Sequence, residues 1–307
     1  MRGAQIPVER SAPLPRTGYV LLAAVTLFWG ANWPGMKIAL SELTVWWFRA
    51  MCVWAGAIGL LGIAKLSGAS LRVPREEIPR LLMISLFAIL GWQMCSAYGV
   101  SLMPAGRASI IAFTMPVWAS ILGAFMLNEP ITAPKSVGLL LGVAGLGVLM
   151  GDDLLVFGKA PLGALFMFGA ALSWAAGTVL FKKYTWTTPI VTLVGWQLAA
   201  GAIPITVVAM MIEPVPDLSH LSTRTIFALA YLFALPMVFC QWAYFKVVSI
   251  FPASIAAMGT LAVPVIGVYS SALILGEPVG WRELAALVLI SAALVSVLVV
   301  PGLRRGA

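Results

Sequence analysis

Long apolar stretches separated by short polar segments run along almost the whole chain. Most of them approach the roughly 20 residues that an α-helix needs to cross a bilayer core about 30 Å thick. Charged residues, glycines and prolines mark the ends of these stretches, as they do at helix boundaries. The pattern therefore predicts ten transmembrane helices, which cover residues 18–37, 43–65, 79–100, 104–127, 134–151, 161–181, 190–212, 223–246, 252–275 and 280–300.

The composition narrows the fold class. The 307-residue chain is 61% apolar and 10% charged, whereas a soluble domain is about 45–50% apolar and about 25% charged. So few charged residues cannot cover the surface of soluble domains of this total length. A soluble enzyme, a disordered chain and a secreted disulfide scaffold are thereby excluded. The prediction is an all-α polytopic membrane protein with short loops.

The positions of Lys and Arg predict how the helices are oriented. If the N-terminus is cytoplasmic, 13 of these 19 residues lie on the inner side, five lie on the outer side, and Arg49 lies inside the second helix. Because basic residues are in excess in cytoplasmic loops, both termini are expected in the cytoplasm, as tails of residues 1–17 and 301–307. The net charge of +8 is spread over helix ends and forms no basic patch for nucleic acid.

The second half of the sequence repeats the first. A shift of 148 residues aligns identical residues at several positions within residues 92–130, and a shift of 145 places Trp29 on Trp174. The identical pairs include Gln93 and Gln241, Pro104 and Pro252, Ala108 and Ala256, Pro116 and Pro264, and Glu129 and Glu277. Each half has five predicted helices, an odd number, so the second half enters the membrane upside down. We expect two inverted repeats, residues 18–151 and 161–300, with a substrate site near the midplane between them.

Several short motifs occur in a fixed order, and most of them have a counterpart in the second half. They are Trp29-Gly30 with Asn32, Arg49, Pro104-Ala105 with Ala108 and Pro116, Asn128-Glu129-Pro130, and their counterparts Trp174, Pro252-Ala253, Pro264 and Gly276-Glu277-Pro278. With these motifs the chain resembles the drug/metabolite transporter superfamily, in its ten-helix EamA-type branch, over residues 18–300. Within that branch it is similar to exporters of aromatic amino acids. The resemblance implies a two-repeat transporter of small molecules; other members carry sugar phosphates or nucleotide sugars.

Polar and aromatic residues at membrane depth are the candidates for substrate binding. Buried polar groups are costly in a bilayer, so they default to functional roles, and tryptophan faces bind aromatic groups and ammonium ions. The candidates are Trp29, Asn32, Trp33, Trp92, Gln93, Tyr98, Ala108, Trp118, Trp174, Thr178, Gln241, Trp242, Tyr244 and Ala256. Interhelical hydrogen bonds and lipid-facing indoles are the alternatives. Arg49 either faces the cavity, snorkels outward or pairs with Glu42.

Two prolines and two glutamates have structural interpretations. Pro116 and Pro264 lie in the middle of predicted helices, where proline removes a hydrogen bond and kinks the helix. They are the candidate hinges or helix breaks. Glu129 and Glu277 each precede a proline that opens the next helix, so we expect them to be helix caps rather than a proton-coupling pair.

The sequence predicts an alternating-access exporter of small amphipathic metabolites, aromatic or other apolar amino acids above all. The scarcity of basic residues at depth disfavours phosphorylated substrates, although sugar phosphates, nucleotide sugars and drugs stay open as alternatives. A membrane-embedded enzyme is disfavoured because the single histidine, His220, has no companion ligands or nucleophile. A structural or assembly protein is also disfavoured, because a scaffold does not need an internal repeat arranged about a binding site. No catalytic residue, metal or cofactor is expected.

The expected partners are a small-molecule substrate and the lipid bilayer, without nucleic acid. The expected location is the bacterial inner membrane, as a multi-pass protein. The oligomeric state stays open and includes a monomer. Since no acidic residue or histidine offers a proton relay at depth, a facilitator or exchanger is favoured.

Overall fold

The computed structural model describes residues 16–128, 133–150, 159–250 and 262–296, and within these ranges all regular structure is helical. The α-helices are α1 (Arg16–Gly30), α2 (Asn32–Glu42), α3 (Val45–Leu66), α4 (Ile78–Ser85), α5 (Trp92–Leu102), α6 (Ala105–Ala112), α7 (Met115–Met126), α8 (Ala133–Met150), α9 (Lys159–Lys183), α10 (Ile190–Ile212), α11 (Thr223–Leu232), α12 (Cys240–Ile250), α13 (Val263–Leu275) and α14 (Trp281–Leu294).

Each predicted segment contains helix, but fewer than ten of the helices could cross a membrane by length and composition alone. Among the described residues, six helical stretches are long and apolar enough. They are Val45–Leu66, Ile78–Leu102, Ala105–Met126, Leu162–Lys183, Ile190–Ile212 and Thr223–Tyr244. An all-helical polytopic fold is therefore supported, and the number of ten spans stays a prediction. Part of the ninth predicted segment, residues 252–261, lies outside the described residues.

The helices are interrupted at corresponding places in the two halves. A π-helical segment, Leu86–Gly91, joins α4 to α5, and a second one, Phe233–Phe239, joins α11 to α12. The shift of 148 residues lays the first segment on the second. The same shift places the start of α7 at Met115 on the start of α13 at Val263. The first helix differs, because it is interrupted at Ala31 between α1 and α2, whereas α9 is continuous.

Helices α3 and α10 pack against each other in opposite directions. A Cβ placed on Gly56 would lie 3.1 Å from Leu198, and one on Gly195 would lie 2.9 Å from Leu61, so later residues of α3 meet earlier residues of α10. Both helices carry the sequence Ala-Gly-Ala-Ile, at residues 55–58 and 200–203. Small residues of this kind let membrane helices approach closely.

Each of these helices also packs on a π segment of the other half. Gly56 of α3 lies against Met237, and Gly201 of α10 lies against Ile89. Since the two glycines occupy the same position of their Ala-Gly-Ala-Ile sequences, the same contact is made twice. The two halves are therefore interlocked around a shared centre.

Candidate functional site

A cavity of about 360 Å³ lies between the two halves of the chain. Its wall consists largely of residues that the sequence repeat relates to one another, at a shift of 145 in the first two predicted helices of each half and 148 beyond them. Ten such pairs line it: Trp29 and Trp174, Asn32 and Gly177, Trp33 and Thr178, Met36 and Phe181, Arg49 and Val194, Ala88 and Pro236, Ile89 and Met237, Gln93 and Gln241, Ser96 and Tyr244, and Met115 and Val263.

The cavity has two ends that correspond in the repeat but differ in chemistry. Met36, Arg49 and Ser96 form the Arg49 end, near the connections at residues 43–44 and 103–104. Their counterparts Phe181, Val194 and Tyr244 form the Phe181 end, near the connection at residues 184–189. The first end is charged and polar, whereas the second is apolar and aromatic. Thr178 lines the cavity one turn before Phe181 and is exposed.

Arg49 lies in the second turn of α3 with only 4% of its surface exposed. Its Nη2 donates to Ser96 Oγ at 2.8 Å and lies 3.6 Å from Met36 Sδ. Its guanidinium carbon is 5.0 Å from the centre of the Phe48 ring. Arg49 therefore faces the cavity. Both alternatives are wrong, because a side chain that snorkels outward would not be buried and the carboxylate of Glu42 instead accepts from Ser222 N at 2.8 Å.

Three buried donor groups in the cavity wall have no hydrogen-bond partner among the residues that the structure describes. They are Arg49 Nε, Trp33 Nε1 and Gln197 Nε2. Buried polar groups without partners are rare in native proteins because each costs about 1–3 kcal/mol, and more when the group is charged. All three are donors, so the wall is suited to a ligand that carries acceptors.

Aromatic rings make up much of the rest of the wall. The ring centres of Trp92 and Trp174 are 5.1 Å apart, and those of Trp29 and Tyr244 are 5.3 Å apart. The indole of Trp29 is held by a 3.3 Å hydrogen bond from Nε1 to the carbonyl oxygen of Pro236, in the π segment Phe233–Phe239. A π turn leaves some carbonyl groups without their regular helical partner, and here one of them fixes a cavity-lining ring.

The structure brings together nine of the fourteen candidate binding residues. They are Trp29, Asn32, Trp33, Trp92, Gln93, Trp174, Thr178, Gln241 and Tyr244.

Five candidate binding residues are not found in the cavity wall. Tyr98 accepts from Trp46 Nε1 at 2.9 Å and stacks on Phe166, and Ala108 is fully buried in the core. Trp118 donates to Thr114, and Trp242 packs on Phe239. Ala256 lies outside the described residues. The position of a residue along its helix could not show whether it faces the cavity, because all of these residues have both apolar and polar neighbours in the sequence.

The two prolines stand at helix starts rather than within continuous helices. Pro116 is in the first turn of α7, after an interruption at Phe113 and Thr114, and Pro264 is in the first turn of α13. Both positions tolerate proline because its missing N–H has no helical partner there. Their neighbours Met115 and Val263 line the cavity.

Glu277 caps a helix of the opposite half instead of the helix that follows it in sequence. Its carboxylate accepts from Ala105 N at 2.7 Å and from Gly106 N at 2.9 Å, at the start of α6. The following helix, α14, is capped by Glu283, which accepts from Gly280 N at 2.8 Å. Gly276 ends α13 with a φ of 69°, and the turn directs Glu277 toward α6. Glu129 lies outside the described residues.

Polar contacts between the two halves join the helix ends beside the Arg49 end. In addition to the Glu277 cap, Arg107 Nε forms a 2.6 Å ion pair with Glu283. Glu213 accepts from the backbone N–H groups of Trp46 and Trp47 at the start of α3, at 3.4 and 3.3 Å. A carboxylate at a helix N-terminus is favoured by the helix dipole. These contacts hold the two halves together at this end.

Beside the Phe181 end, one carboxylate makes a comparable contact among the described residues. Glu77 accepts from Thr187 N and Thr187 Oγ1, both at 2.7 Å, and from Thr188 Oγ1 at 2.6 Å. Burial alone would raise the pKa of Glu77, but the hydrogen bonds from Thr188 and Thr187 outweigh it and leave the pKa lowered.

Two further polar residues of the cavity wall, Gln197 and Ser96, were not among the fourteen candidates. Gln197 is an amide within an apolar stretch, and the same rule that selected Gln93 applies to it. Ser96 has no such signal, because serine occurs throughout these helices and only its bond to Arg49 distinguishes it. In the part of the chain that the structure describes, no group of three His, Cys, Asp or Glu residues could hold a metal ion.

Comparisons with known proteins agree with one another. The sequence profile of the EamA-like transporter family matches residues 16–151 and again residues 161–299. The chain is 27% identical to an uncharacterized transporter, YoaV, of Bacillus subtilis, over 92% of this chain and 94% of that protein. It is also 27% identical to the "Probable amino-acid metabolite efflux pump" of Escherichia coli, over 92% and 94%. A crystal structure at 19% identity has a TM-score of 0.62 and covers 89% of this chain and 94% of its own, a likeness of fold.

Proposed function

The chain belongs to the EamA-like transporter family, and from this premise we propose that it exports aromatic or other apolar amino acids by alternating access. The observation that carries the proposal is the cavity between the halves, with paired glutamines and indoles in its wall. Amides donate to a carboxylate and accept from an ammonium group, and indole faces bind aromatic side chains and ammonium ions. The E. coli and Salmonella typhimurium relatives, 27% and 25% identical, both carry the name "Probable amino-acid metabolite efflux pump".

The two halves act as inverted repeats about the cavity. The antiparallel packing of α3 on α10 supports this, because helices with the same Ala-Gly-Ala-Ile sequence run in opposite directions. The ten pairs of lining residues support it further, since a two-fold axis through the cavity brings both members of each pair into one wall. A transporter of this kind has its binding site where its repeats meet.

The two ends of the cavity are its alternating gates. Polar contacts hold the halves together beside the Arg49 end, and we assign access in this conformation to the Phe181 end, where Thr178 is exposed. With both termini cytoplasmic, the Phe181 end faces the cytoplasm of a bacterial inner membrane, and export proceeds when the Glu277 and Arg107 contacts break. Pro116 and Pro264, each beside a cavity residue, are the hinges.

Phosphorylated substrates are the second class to be tested. A phosphate carries up to two charges and is bound by several basic groups or N–H donors. Among the described residues that line the cavity, Arg49 is the one charged group, which favours a substrate with a single negative charge.

Transport into proteoliposomes tests the proposal directly. We expect saturable flux of tryptophan and phenylalanine and none of glucose 6-phosphate. Trp174→Ala, which removes a wall indole, should lower the flux, whereas Leu273→Ala, at an apolar side chain 86% exposed on α13, serves as the matched control and should not. Flux of the phosphate alone would refute the amino-acid assignment.

A further inference from the structure

We propose that Arg49 forms a subsite that binds the carboxylate of the transported substrate at the Arg49 end of the cavity. This inference rests on the proposed function, since it presumes that the cavity takes a cargo. It adds that the carboxylate is the group of the substrate that is recognised, and it gives the orientation of the substrate within the cavity. It also implies that the substrates extend to apolar carboxylic acids without an amino group.

The first argument is the unbalanced charge. Arg49 is 4% exposed, and no carboxylate of the described residues forms an ion pair with it. A buried cation without a partner costs several kcal/mol, so such groups in membrane proteins are paired or serve a substrate or ion. The described lining residues include neither Asp nor Glu. The missing negative charge therefore belongs to the cargo.

The second argument is the geometry of the guanidinium group. The Nη2 group donates to Ser96 Oγ at 2.8 Å and to Met36 Sδ at 3.6 Å, and the Ser96 hydroxyl itself donates to the carbonyl oxygen of Gln93 at 3.2 Å. These bonds and the Phe48 ring fix the plane of the group. The Nε–H has no partner among the described residues. It is a charged donor that can bind an oxygen of a carboxylate.

The third argument is a second unpartnered donor on a neighbouring helix. Trp33 is 3% exposed and lines the same cavity, and its Nε1 has no partner in the described part of the chain. It lies one turn before Met36, whose sulfur contacts Arg49. A single carboxylate has lone pairs for both groups, because each of its oxygens accepts more than one hydrogen bond.

The fourth argument is the asymmetry of the wall. In the second half Val194 occupies the position that corresponds to Arg49, and it also lines the cavity. The apolar body of the substrate therefore lies along Trp92 and Trp174, toward the Phe181 end, while its carboxylate lies at Arg49. During export the carboxylate of the substrate therefore points toward the Arg49 end, which is the gate that opens.

Binding to the purified full-length protein in detergent, followed by calorimetry, tests the subsite. The probes are phenylalanine against phenylalaninamide, and 3-phenylpropionate against 3-phenylpropionamide, so that each pair differs in its carboxylate. We expect each acid to bind at least tenfold more tightly than its amide. Arg49→Gln should abolish this preference, and Arg49→Lys should retain part of it.

Arg224→Gln is the matched control, because it removes an arginine that is exposed, lies outside the cavity and donates to Ile274 O. It should keep the preference for acids. If Arg49→Gln fails to fold, the acid-to-amide ratio of the wild-type protein still decides the matter. Equal binding of acid and amide, or an undiminished preference in a folded Arg49→Gln variant, would overturn the proposal. So would binding at Arg49 of inorganic phosphate in place of the carboxylates.

The same probes separate this inference from the proposed function. Binding of 3-phenylpropionate that depends on Arg49, without transport of any amino acid in proteoliposomes, would leave the subsite in place and refute the exporter of amino acids. Transport of phenylalanine by Arg49→Gln with an unchanged KM would refute the subsite and leave the exporter in place.

Discussion

The Arg49 end and the Phe181 end of the cavity are built on the same backbone plan and differ in their side chains. Arginine, serine and methionine at one end correspond to valine, tyrosine and phenylalanine at the other. The repeated sequence preserves the positions at which helices cross, such as the glycines of the two Ala-Gly-Ala-Ile sequences. The lining residues are free to diverge. A helical scaffold with two similar halves can therefore bind an asymmetric substrate in a single orientation.

The largest effect is expected from making the two ends alike. Arg49→Val introduces the residue found at the corresponding position of the other half. Loss of a buried charge contact costs about 2–5 kcal/mol, so we expect the kcat/KM of amino-acid transport to fall by a factor on the order of 30 or more. The melting temperature should rise, because an unpaired buried cation is replaced by an apolar side chain. A variant that is both unstable and inactive would contradict this account.

A smaller effect is expected from weakening the closed gate. Glu277→Gln removes the charge from the two hydrogen bonds to Ala105 N and Gly106 N. Bonds to charged groups contribute about 1.5–3 kcal/mol, so the amide hydrogens at the start of α6 should exchange with solvent at least about tenfold faster. Glu76→Gln, in an exposed connection, is the control. Unchanged protection at α6 would show that the cap does not hold the gate.

A pH-dependent effect is expected from the carboxylate beside the Phe181 end. Because the pKa of Glu77 is lowered in the folded protein, its stabilisation is fully present above the ordinary glutamate pKa of about 4.3. It is lost as the pH falls through the lower folded-state pKa. Glu77→Gln should lower the melting temperature by about 2–4 °C at pH 7, and the difference should vanish on acidification. A deficit that persists at low pH would indicate lost packing instead.

The smallest difference is expected between substitutions at the two corresponding glycines. A Cβ on Gly201 would lie 2.5 Å from Ile89, at its branched carbon chain, whereas one on Gly56 would lie 3.1 Å from the ends of Leu198 and Met237. Overpacking typically costs about 1–3 kcal/mol, and flexible ends relieve it. Thermal unfolding should therefore show Gly201→Ala to be the more destabilising of the two. The reverse order would mean that the π segments are softer than their contacts indicate.

The sequence predicts the helical fold well because apolar length is a direct consequence of the bilayer. It also identifies the paired tryptophans and glutamines of the wall, since indoles and amides are conspicuous in apolar stretches. It could not predict the direction of Arg49, because a long side chain near a helix end reaches either way and only Ser96 and Met36 decide it. The partner of Glu277 is 171–172 residues away, at Ala105 and Gly106, beyond any local capping rule.

The two π segments carry information about the history of the chain. They interrupt equivalent helices at the same register, in Leu86–Gly91 and Phe233–Phe239. If the halves arose by duplication, one insertion in the ancestral unit accounts for both, and the irregularity is older than the two-repeat protein. The contrast between Arg49 and Val194 then arose after the copies separated. Such an ancestor, pairing with a second copy of itself, had the π segment that lines the cavity before it had a way to tell one end of a cargo from the other.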